Sequence, residues 1–125
     1  MPDESKRILL IEDDKTLIEM YDLKFKQEGL NLITVENGEE GLNLAKAEFP
    51  AVILLDIMMP KMDGFAVLTE LKKDAKTKNI PVLLLSNLGQ KTDIEKGKKL
   101  GANDYIVKAS MTPTQVVDKV KSFLK

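Results

Sequence analysis

The sequence predicts an α/β fold in which a five-stranded parallel sheet carries helices on both faces. Short aliphatic runs alternate with longer amphipathic stretches along the 125 residues, which is typical of repeated strand–helix units. Some of these runs are continuously apolar, and this indicates strands that are covered on both sides. The length suits one core, and neither a linker nor an internal repeat interrupts the pattern. We therefore expect residues 1–125 to form a single domain.

Five short runs rich in Ile, Leu and Val are predicted to be the strands. They lie at Ile8–Ile11, Leu30–Val35, Val52–Leu55, Val82–Leu85 and Tyr105–Val107. The third run is strongly apolar, yet it leads directly into a carboxylate, Asp56. A buried carboxylate without a partner is strongly destabilising. Asp56 therefore needs a counter-charge, a metal ion or an exposed position at the end of its strand.

Apolar residues at helical spacing predict the first three helices, each with one face that covers the sheet. The first is predicted from Lys15 to Glu28 and stops at Gly29; its apolar face holds Leu17, Ile18, Met20, Tyr21 and Phe25. The second is predicted from Gly38 to Glu48, with Leu42, Ala45 and Phe49 on one side. The third follows Asp63, a good N-cap residue, and repeats Phe65, Leu68 and Leu71.

The last two helices differ in the strength of their signals. The fifth has a clear start, because Thr112, Pro113 and Gln115 stand where an N-cap, a first-turn proline and a capping-box glutamine belong. The fourth is predicted from Gln90 to Leu100, is rich in lysine, and has only Ile94 and Leu100 as clearly apolar residues. It is either a moving part beside the functional site or a solvated edge helix.

The composition excludes several kinds of chemistry. The chain contains no cysteine and no histidine, so thiolate and imidazole ligands are absent and a general base must be a carboxylate or a lysine. The formal charge of −1 does not favour binding to nucleic acid. No apolar run is long enough for a signal peptide or a membrane span. We expect a cytoplasmic protein without a membrane contact.

Polar residues gather at the carboxyl ends of the predicted strands, where open α/β sheets bind their ligands. Strand one ends in Glu12 and Asp13, strand three in Asp56, strand four in Ser86 and strand five in Lys108. If strands one and three are neighbours, as in the flavodoxin-like order 2-1-3-4-5, three carboxylates lie close together and repel one another. A hard divalent cation relieves this repulsion, and oxygen ligands alone favour Mg²⁺. Lys108 adds a fixed positive charge.

With these residues in place, the chain resembles the receiver domain of two-component response regulators from Arg7 to about Leu124. Glu12 and Asp13 match the acidic pair of that family, and Asp56 matches its phospho-accepting aspartate. The segment from Ile57 to Gly64 resembles the loop that follows the acceptor. Three further positions match the hydroxyl residue, the lysine and the aromatic switch residue: Ser86, Lys108 and Tyr105.

The resemblance implies a phosphorylation switch rather than an enzyme with a separate substrate. Asp56 would accept a phosphoryl group from a sensor histidine kinase or a histidine phosphotransfer protein. Mg²⁺ would be held by Asp13, Asp56 and the backbone carbonyl of Met58, with Glu12 helping through water. Lys108 and Ser86 would bind phosphoryl oxygens.

Movement of Ser86 would then open space into which Tyr105 turns. The resemblance implies that this changes the surface of the fourth helix, fifth strand and fifth helix for an output partner, which the sequence does not identify. The alternative for Tyr105 is an ordinary half-buried aromatic residue of a strand.

Two positions depart from the family pattern. Ala109 follows Lys108 where the family usually has proline, and Asn87 follows Ser86 where a small residue is frequent. A bulkier Asn87 would narrow access to the acceptor. A cis bond before a residue other than proline costs about 2.5–4 kcal/mol. We nevertheless expect a cis Lys108–Ala109 bond, because a lysine–carboxylate pair can hold a strained backbone at a functional site.

Two other functional classes compete with this interpretation. A hydrolase of the haloacid-dehalogenase type also uses an aspartate and Mg²⁺, but it needs Asp-x-Asp after strand one, where this chain has Glu12, Asp13 and Asp14. A flavodoxin-like cofactor module needs a phosphate cradle there, and these carboxylates repel phosphate. The sequence leaves open whether the chain acts alone or is a receiver from a longer regulator.

Overall fold

The structure is a computed structural model that describes residues 7–59, 62–87 and 89–124. Its centre is a parallel sheet of five strands: β1 (Ile8–Ile11), β2 (Leu32–Val35), β3 (Val52–Asp56), β4 (Val82–Ser86) and β5 (Asp104–Val107). The strand order β2-β1-β3-β4-β5 confirms the predicted topology. The helices alternate with the strands: α1 (Lys15–Gln27), α2 (Gly38–Glu48), α3 (Gly64–Lys73), α4 (Lys91–Lys99) and α5 (Pro113–Lys121).

The sheet separates two hydrophobic clusters, which explains why β1, β3 and β4 are buried on both faces. Residues of α1 and α5 cover one face, with Tyr21, Phe25, Val116, Val117 and Val120 fully buried. Residues of α2 and α3 cover the other, with Ala45, Val67, Leu68 and Leu71 fully buried. No described helix is long and apolar enough to cross a membrane.

The helix starts agree with the capping residues in the sequence. Asp63 accepts a hydrogen bond from the backbone N–H of Ala66, and Asp14 and Asn37 cap α1 and α2 in the same way. Thr112 and Gln115 form the predicted capping box of α5. Gln90, before α4, makes no capping hydrogen bond with its side chain.

Three details of the sequence prediction are wrong. Met20 is 45% exposed, because the buried stripe of α1 is narrower than the predicted face. Phe49 is 55% exposed, since it lies beyond the last residue of α2 with a positive φ of 47° that turns the chain. Strand β2 begins at Leu32 rather than Leu30, because the Leu30 N–H donates to the Phe25 carbonyl and closes the turn after α1.

Helix α4 packs on the sheet through a close approach of its backbone. Gly97 is the one buried residue of α4, all of which the structure describes. A Cβ atom at this position would overlap Leu84 Cδ1. The helix therefore lies against β4 without a fully buried apolar side chain of its own.

Candidate functional site

The register of the sheet brings the predicted acidic residues together. Strands β1 and β3 are neighbours, with Ile11 opposite Leu55, so the residues that follow lie side by side. One carboxylate oxygen from each of Glu12, Asp13 and Asp56 lies within 4.8 Å of the others. Glu12 and Asp56 are buried, whereas Asp13 is exposed. The structure thus assembles the predicted acidic cluster at the carboxyl edge of the sheet.

Lys108 enters this cluster from β5 and contacts two carboxylates. Its Nζ lies 2.8 Å from Glu12 Oε2 and 3.1 Å from Asp56 Oδ1. The backbone N–H of Lys108 donates to the Ser86 carbonyl at 2.8 Å, and this hydrogen bond holds the Lys108 backbone next to β4. Burial would lower the pKa of Lys108, but its contacts with the negatively charged Glu12 and Asp56 carboxylates raise the pKa above its usual value. Lys108 is therefore a fixed cation.

The prediction of a cis Lys108–Ala109 bond is wrong, since no cis peptide bond occurs among the described residues. The backbone after β5 forms a hydrogen-bonded turn in which the Ala109 N–H donates to the Asn87 carbonyl and the Met111 N–H donates to the Val107 carbonyl. From this trans backbone the flexible Lys108 side chain still reaches Asp56. The lysine–carboxylate contact thus forms without the strained bond.

Glu12 lies deepest in the cluster. Its Oε1 accepts the Asp14 N–H at 3.1 Å, while its buried Oε2 touches the Lys108 ammonium but lacks a well-oriented hydrogen bond. Burial raises the pKa of Glu12 to about 7; the contact with the Lys108 ammonium opposes this rise and the nearby Asp56 charge adds to it.

The acidic cluster suits a hard divalent cation. The oxygen-only donor set, with two buried carboxylates and one exposed carboxylate, matches the ligands of Mg²⁺.

The raised pKa of Glu12 predicts how stability changes with pH in metal-free buffer. The carboxyl titrates near 4.5 when unfolded and near 7 when folded, so between these values the folded chain binds the additional proton. The free energy of unfolding should therefore fall as pH rises through this window. Glu12→Gln should remove the pH dependence that Glu12 contributes. The stability of this variant relative to wild type should therefore increase between about pH 5 and about pH 8, measured by thermal unfolding in the presence of EDTA. A constant difference would contradict the prediction.

Asp56 is held by the loop that follows β3, and its backbone lies against the start of α3. Its Oδ1 accepts the Met58 N–H at 3.2 Å, and the Gly64 N–H donates to the Ile57 carbonyl at 2.9 Å. A Cβ atom on Gly64 would overlap the Asp56 carbonyl oxygen. Periodicity does not reveal this role of Gly64; the signal that could have is the Asp63-Gly64 pair at a helix start. This glycine lets α3 begin directly against the backbone of Asp56.

A cavity of about 130 Å³ opens beside the Asp56 carboxylate. Its lining includes Met58, Ser86, Asn87, Gln90 and Asp93. Ser86 is buried, and its Oγ accepts the Gly89 N–H at 3.0 Å. The cavity thus places the predicted hydroxyl residue and the predicted acceptor on one small surface.

Tyr105 lies half-buried on β5, apart from the acidic cluster. The Lys119 ammonium lies 5.6 Å from the centre of the Tyr105 ring and 3.0 Å from Asp104 Oδ2. Lys119 of α5 therefore forms an ion pair with the first residue of β5 and lies over the Tyr105 ring. The switch role of Tyr105 stays a prediction.

Comparisons with known proteins give a consistent result. A sequence model of the response regulator receiver domain matches residues 8–121. Protein PilH of Pseudomonas aeruginosa is 42% identical over 104 residues, which cover 82% of this chain and 84% of PilH. The probable transcriptional regulator ycf27 of Porphyra purpurea is 33% identical over the whole chain, which covers 50% of that protein. The chain thus spans about half the length of the first curated relatives that it matches.

Solved structures agree with the fold. A response regulator from Chloroflexus aurantiacus superposes with a TM-score of 0.90 at 29% identity, and the match covers 99% of this chain and 98% of that one.

Proposed function

The chain belongs to the response regulator receiver domains of two-component systems, and from this membership we propose that Asp56 is its phosphoryl acceptor. The observation that supports this assignment is the position of the Asp56 carboxylate, which faces a cavity, touches Lys108 and lies beside two further carboxylates. We propose a sensor histidine kinase or a histidine phosphotransfer protein as the donor. The chain itself catalyses only its own phosphorylation and slow dephosphorylation.

In the transfer, an Asp56 carboxylate oxygen attacks the phosphorus of a phosphohistidine. The new P–O bond gives an acyl phosphate, the P–N bond breaks, and the electron pair stays with the histidine of the donor. Lys108 first stabilises the carboxylate and then binds a phosphoryl oxygen. Glu12, also in contact with Lys108, limits how far the ammonium can move.

We propose that the acidic cluster binds Mg²⁺. Mg²⁺ held by Asp13, Asp56 and the Met58 carbonyl, with Glu12 acting through water, would neutralise negative charge during the transfer. Asp13 is exposed and so accessible to a hydrated ion, while Glu12 is engaged by Lys108. The same cluster argues against a flavodoxin-like cofactor module, since three carboxylates repel a cofactor phosphate.

After transfer, we propose that the Ser86 hydroxyl turns toward the phosphoryl group and donates to it. Ser86 and Asp56 line the same cavity. For this movement the Ser86 hydroxyl gives up the hydrogen bond that it accepts from the Gly89 N–H. Tyr105 would then turn inward, away from the Lys119 ammonium, and change the surface formed by α4, β5 and α5. An output partner would bind this surface, without contact of the domain itself to nucleic acid or membrane.

We further propose that residues 1–125 act as one receiver domain in the cytoplasm, where an ATP-dependent histidine kinase makes the donor. The experiment that tests the function is phosphorylation with acetyl phosphate. Intact mass should rise by one phosphoryl group in the presence of Mg²⁺ and stay unchanged when EDTA removes the metal. Equal uptake with and without the metal would refute the proposed role of Mg²⁺, and no uptake from a phosphohistidine donor or from acetyl phosphate would refute the acceptor function.

Metal binding should depend more on Asp13 than on Glu12. A direct ligand contributes more than one that acts through water, and Glu12 is engaged by Lys108. We expect Asp13→Asn to weaken Mg²⁺ binding by about 100-fold or more, beyond the usual loss for a residue that acts indirectly, and Glu12→Gln to weaken it less. Calorimetric titration with Mg²⁺ measures both. A larger loss in the Glu12 variant would reverse the ranking of the two residues.

A further inference from the structure

The side chain of Met58 has no role in the function proposed above, although it lies beside the acceptor. The side chain is 70% exposed, the largest exposure among the big apolar residues that the structure describes. It lines the cavity next to Asp56 together with Asn87, Gln90 and Asp93. Met58 is therefore one of the side chains that water entering this cavity meets.

Oxidation is the reaction to which an exposed thioether is open. The chain has no cysteine, histidine or tryptophan, so its six methionines are the side chains most readily oxidised. Among the methionines of the described ranges, Met58 and Met20 are exposed, while Met59, Met62 and Met111 are half-buried. Met20 lies on α1, away from the cavity residues, and so offers a matched control.

We propose that Met58 is a site of reversible oxidation that shortens the lifetime of the phosphorylated state. In this step the sulfur attacks one oxygen of hydrogen peroxide, an S–O bond forms and the O–O bond breaks. The proton of the transferred oxygen passes to the departing hydroxide, which leaves as water. The sulfur is oxidised by two electrons and the peroxide is reduced by two. The effect on lifetime rests on the proposed function, because it requires an acyl phosphate at Asp56.

The sulfoxide adds a hydrogen-bond acceptor for water at the cavity. A thioether sulfur is only a weak hydrogen-bond acceptor, so Met58 in its reduced form does not hold water beside the acyl phosphate. A sulfoxide oxygen is a good acceptor, and it sits on the residue whose backbone N–H already donates to Asp56 Oδ1. A water bound to it is held at the cavity that the Asp56 carboxylate also lines. One hydrogen bond of ordinary strength, made in the transition state, corresponds to about fivefold faster hydrolysis.

The test combines oxidation with a measurement of phosphate release. The protein is treated with hydrogen peroxide, the peroxide is removed with catalase, and the sites of oxygen addition are mapped by peptide mass. The protein is then phosphorylated with acetyl phosphate and Mg²⁺, and the release of inorganic phosphate is followed. We expect oxygen at Met58 and about fivefold faster release, which treatment with methionine sulfoxide reductase returns to the untreated rate.

Two substitutions assign the effect to one side chain. Met20→Leu should keep the acceleration by peroxide, and Met58→Leu should lose it. Met58→Gln, which presents an amide oxygen, should release phosphate faster than Met58→Leu without any peroxide. An acceleration that survives in Met58→Leu, or Met58 left unoxidised while Met20 reacts, would overturn the inference.

The failure of the inference is distinct from the failure of the function. Normal phosphoryl uptake with an unchanged or slower release after oxidation of Met58 overturns the inference alone. A wild-type protein that takes up no phosphoryl group before oxidation overturns both.

Discussion

Asp56→Asn should abolish phosphoryl uptake, so that the intact mass stays constant after incubation with acetyl phosphate and Mg²⁺. The amide nitrogen and oxygen are poor nucleophiles, and the substitution also removes one of the three carboxylates of the acidic cluster. The loss is expected to be complete because Asp56 is the cluster carboxylate that lines the cavity. Mass spectrometry of the intact protein measures this directly.

The control for this substitution is Asp118→Asn, an exposed residue of α5. It should take up one phosphoryl group at the wild-type rate. Both variants should keep the wild-type circular dichroism, since Asp56→Asn preserves the shape of the side chain. Uptake by Asp56→Asn comparable to that of wild type would assign the phosphoryl group to another residue.

Lys108→Met should destabilise the fold by about 3–5 kcal/mol in chemical unfolding near pH 8, which is the usual loss when one partner of a buried ion pair is removed. The substitution leaves Glu12 and Asp56 buried without their counter-charge. At lower pH the loss should shrink, because the raised pKa of Glu12 lets this carboxyl take up a proton and become neutral.

Lys119→Met is the matched control for the lysine. Lys119 also forms an ion pair of 3.0 Å, with Asp104, but both side chains are 29% exposed. Exposed pairs contribute about 0–1 kcal/mol, so the loss should be several times smaller than for Lys108. Equal losses in the two variants would mean that burial does not determine the contribution of Lys108.

The sequence predicted the acidic cluster because its members stand at strand ends. In a parallel sheet these ends share one edge, and the register that places Ile11 opposite Leu55 follows from two short, continuously apolar runs. The position of Lys108 at the end of β5 was predictable for the same reason. Its closer contact with Glu12 was not, since the torsion angles of long side chains decide which carboxylate the ammonium reaches.

Features that depend on local backbone geometry were not predictable from periodicity. The trans Lys108–Ala109 bond is what the residue type favours, since Ala109 is not proline, but no sequence pattern signals the hydrogen bond of this turn to the Asn87 carbonyl. Phe49 fits the helical spacing of α2 but lies one residue past its end. The exposure of Met58 was likewise hidden, because the loop between β3 and α3 has no regular period.

The packing of α4 has a consequence for the order in which parts of the molecule open. Gly97 is buried against Leu84, but α4, which is fully described, buries no apolar side chain completely. Separating this helix from β4 therefore exposes less apolar surface than separating α1, α3 or α5, and requires less free energy than global unfolding. Amide hydrogens of α4 should exchange with solvent through local fluctuations. Those of β3 and β4 should exchange more slowly, because their exchange requires cooperative unfolding. The helix beside the Asp56 cavity can thus change its conformation while the sheet keeps the acidic cluster assembled.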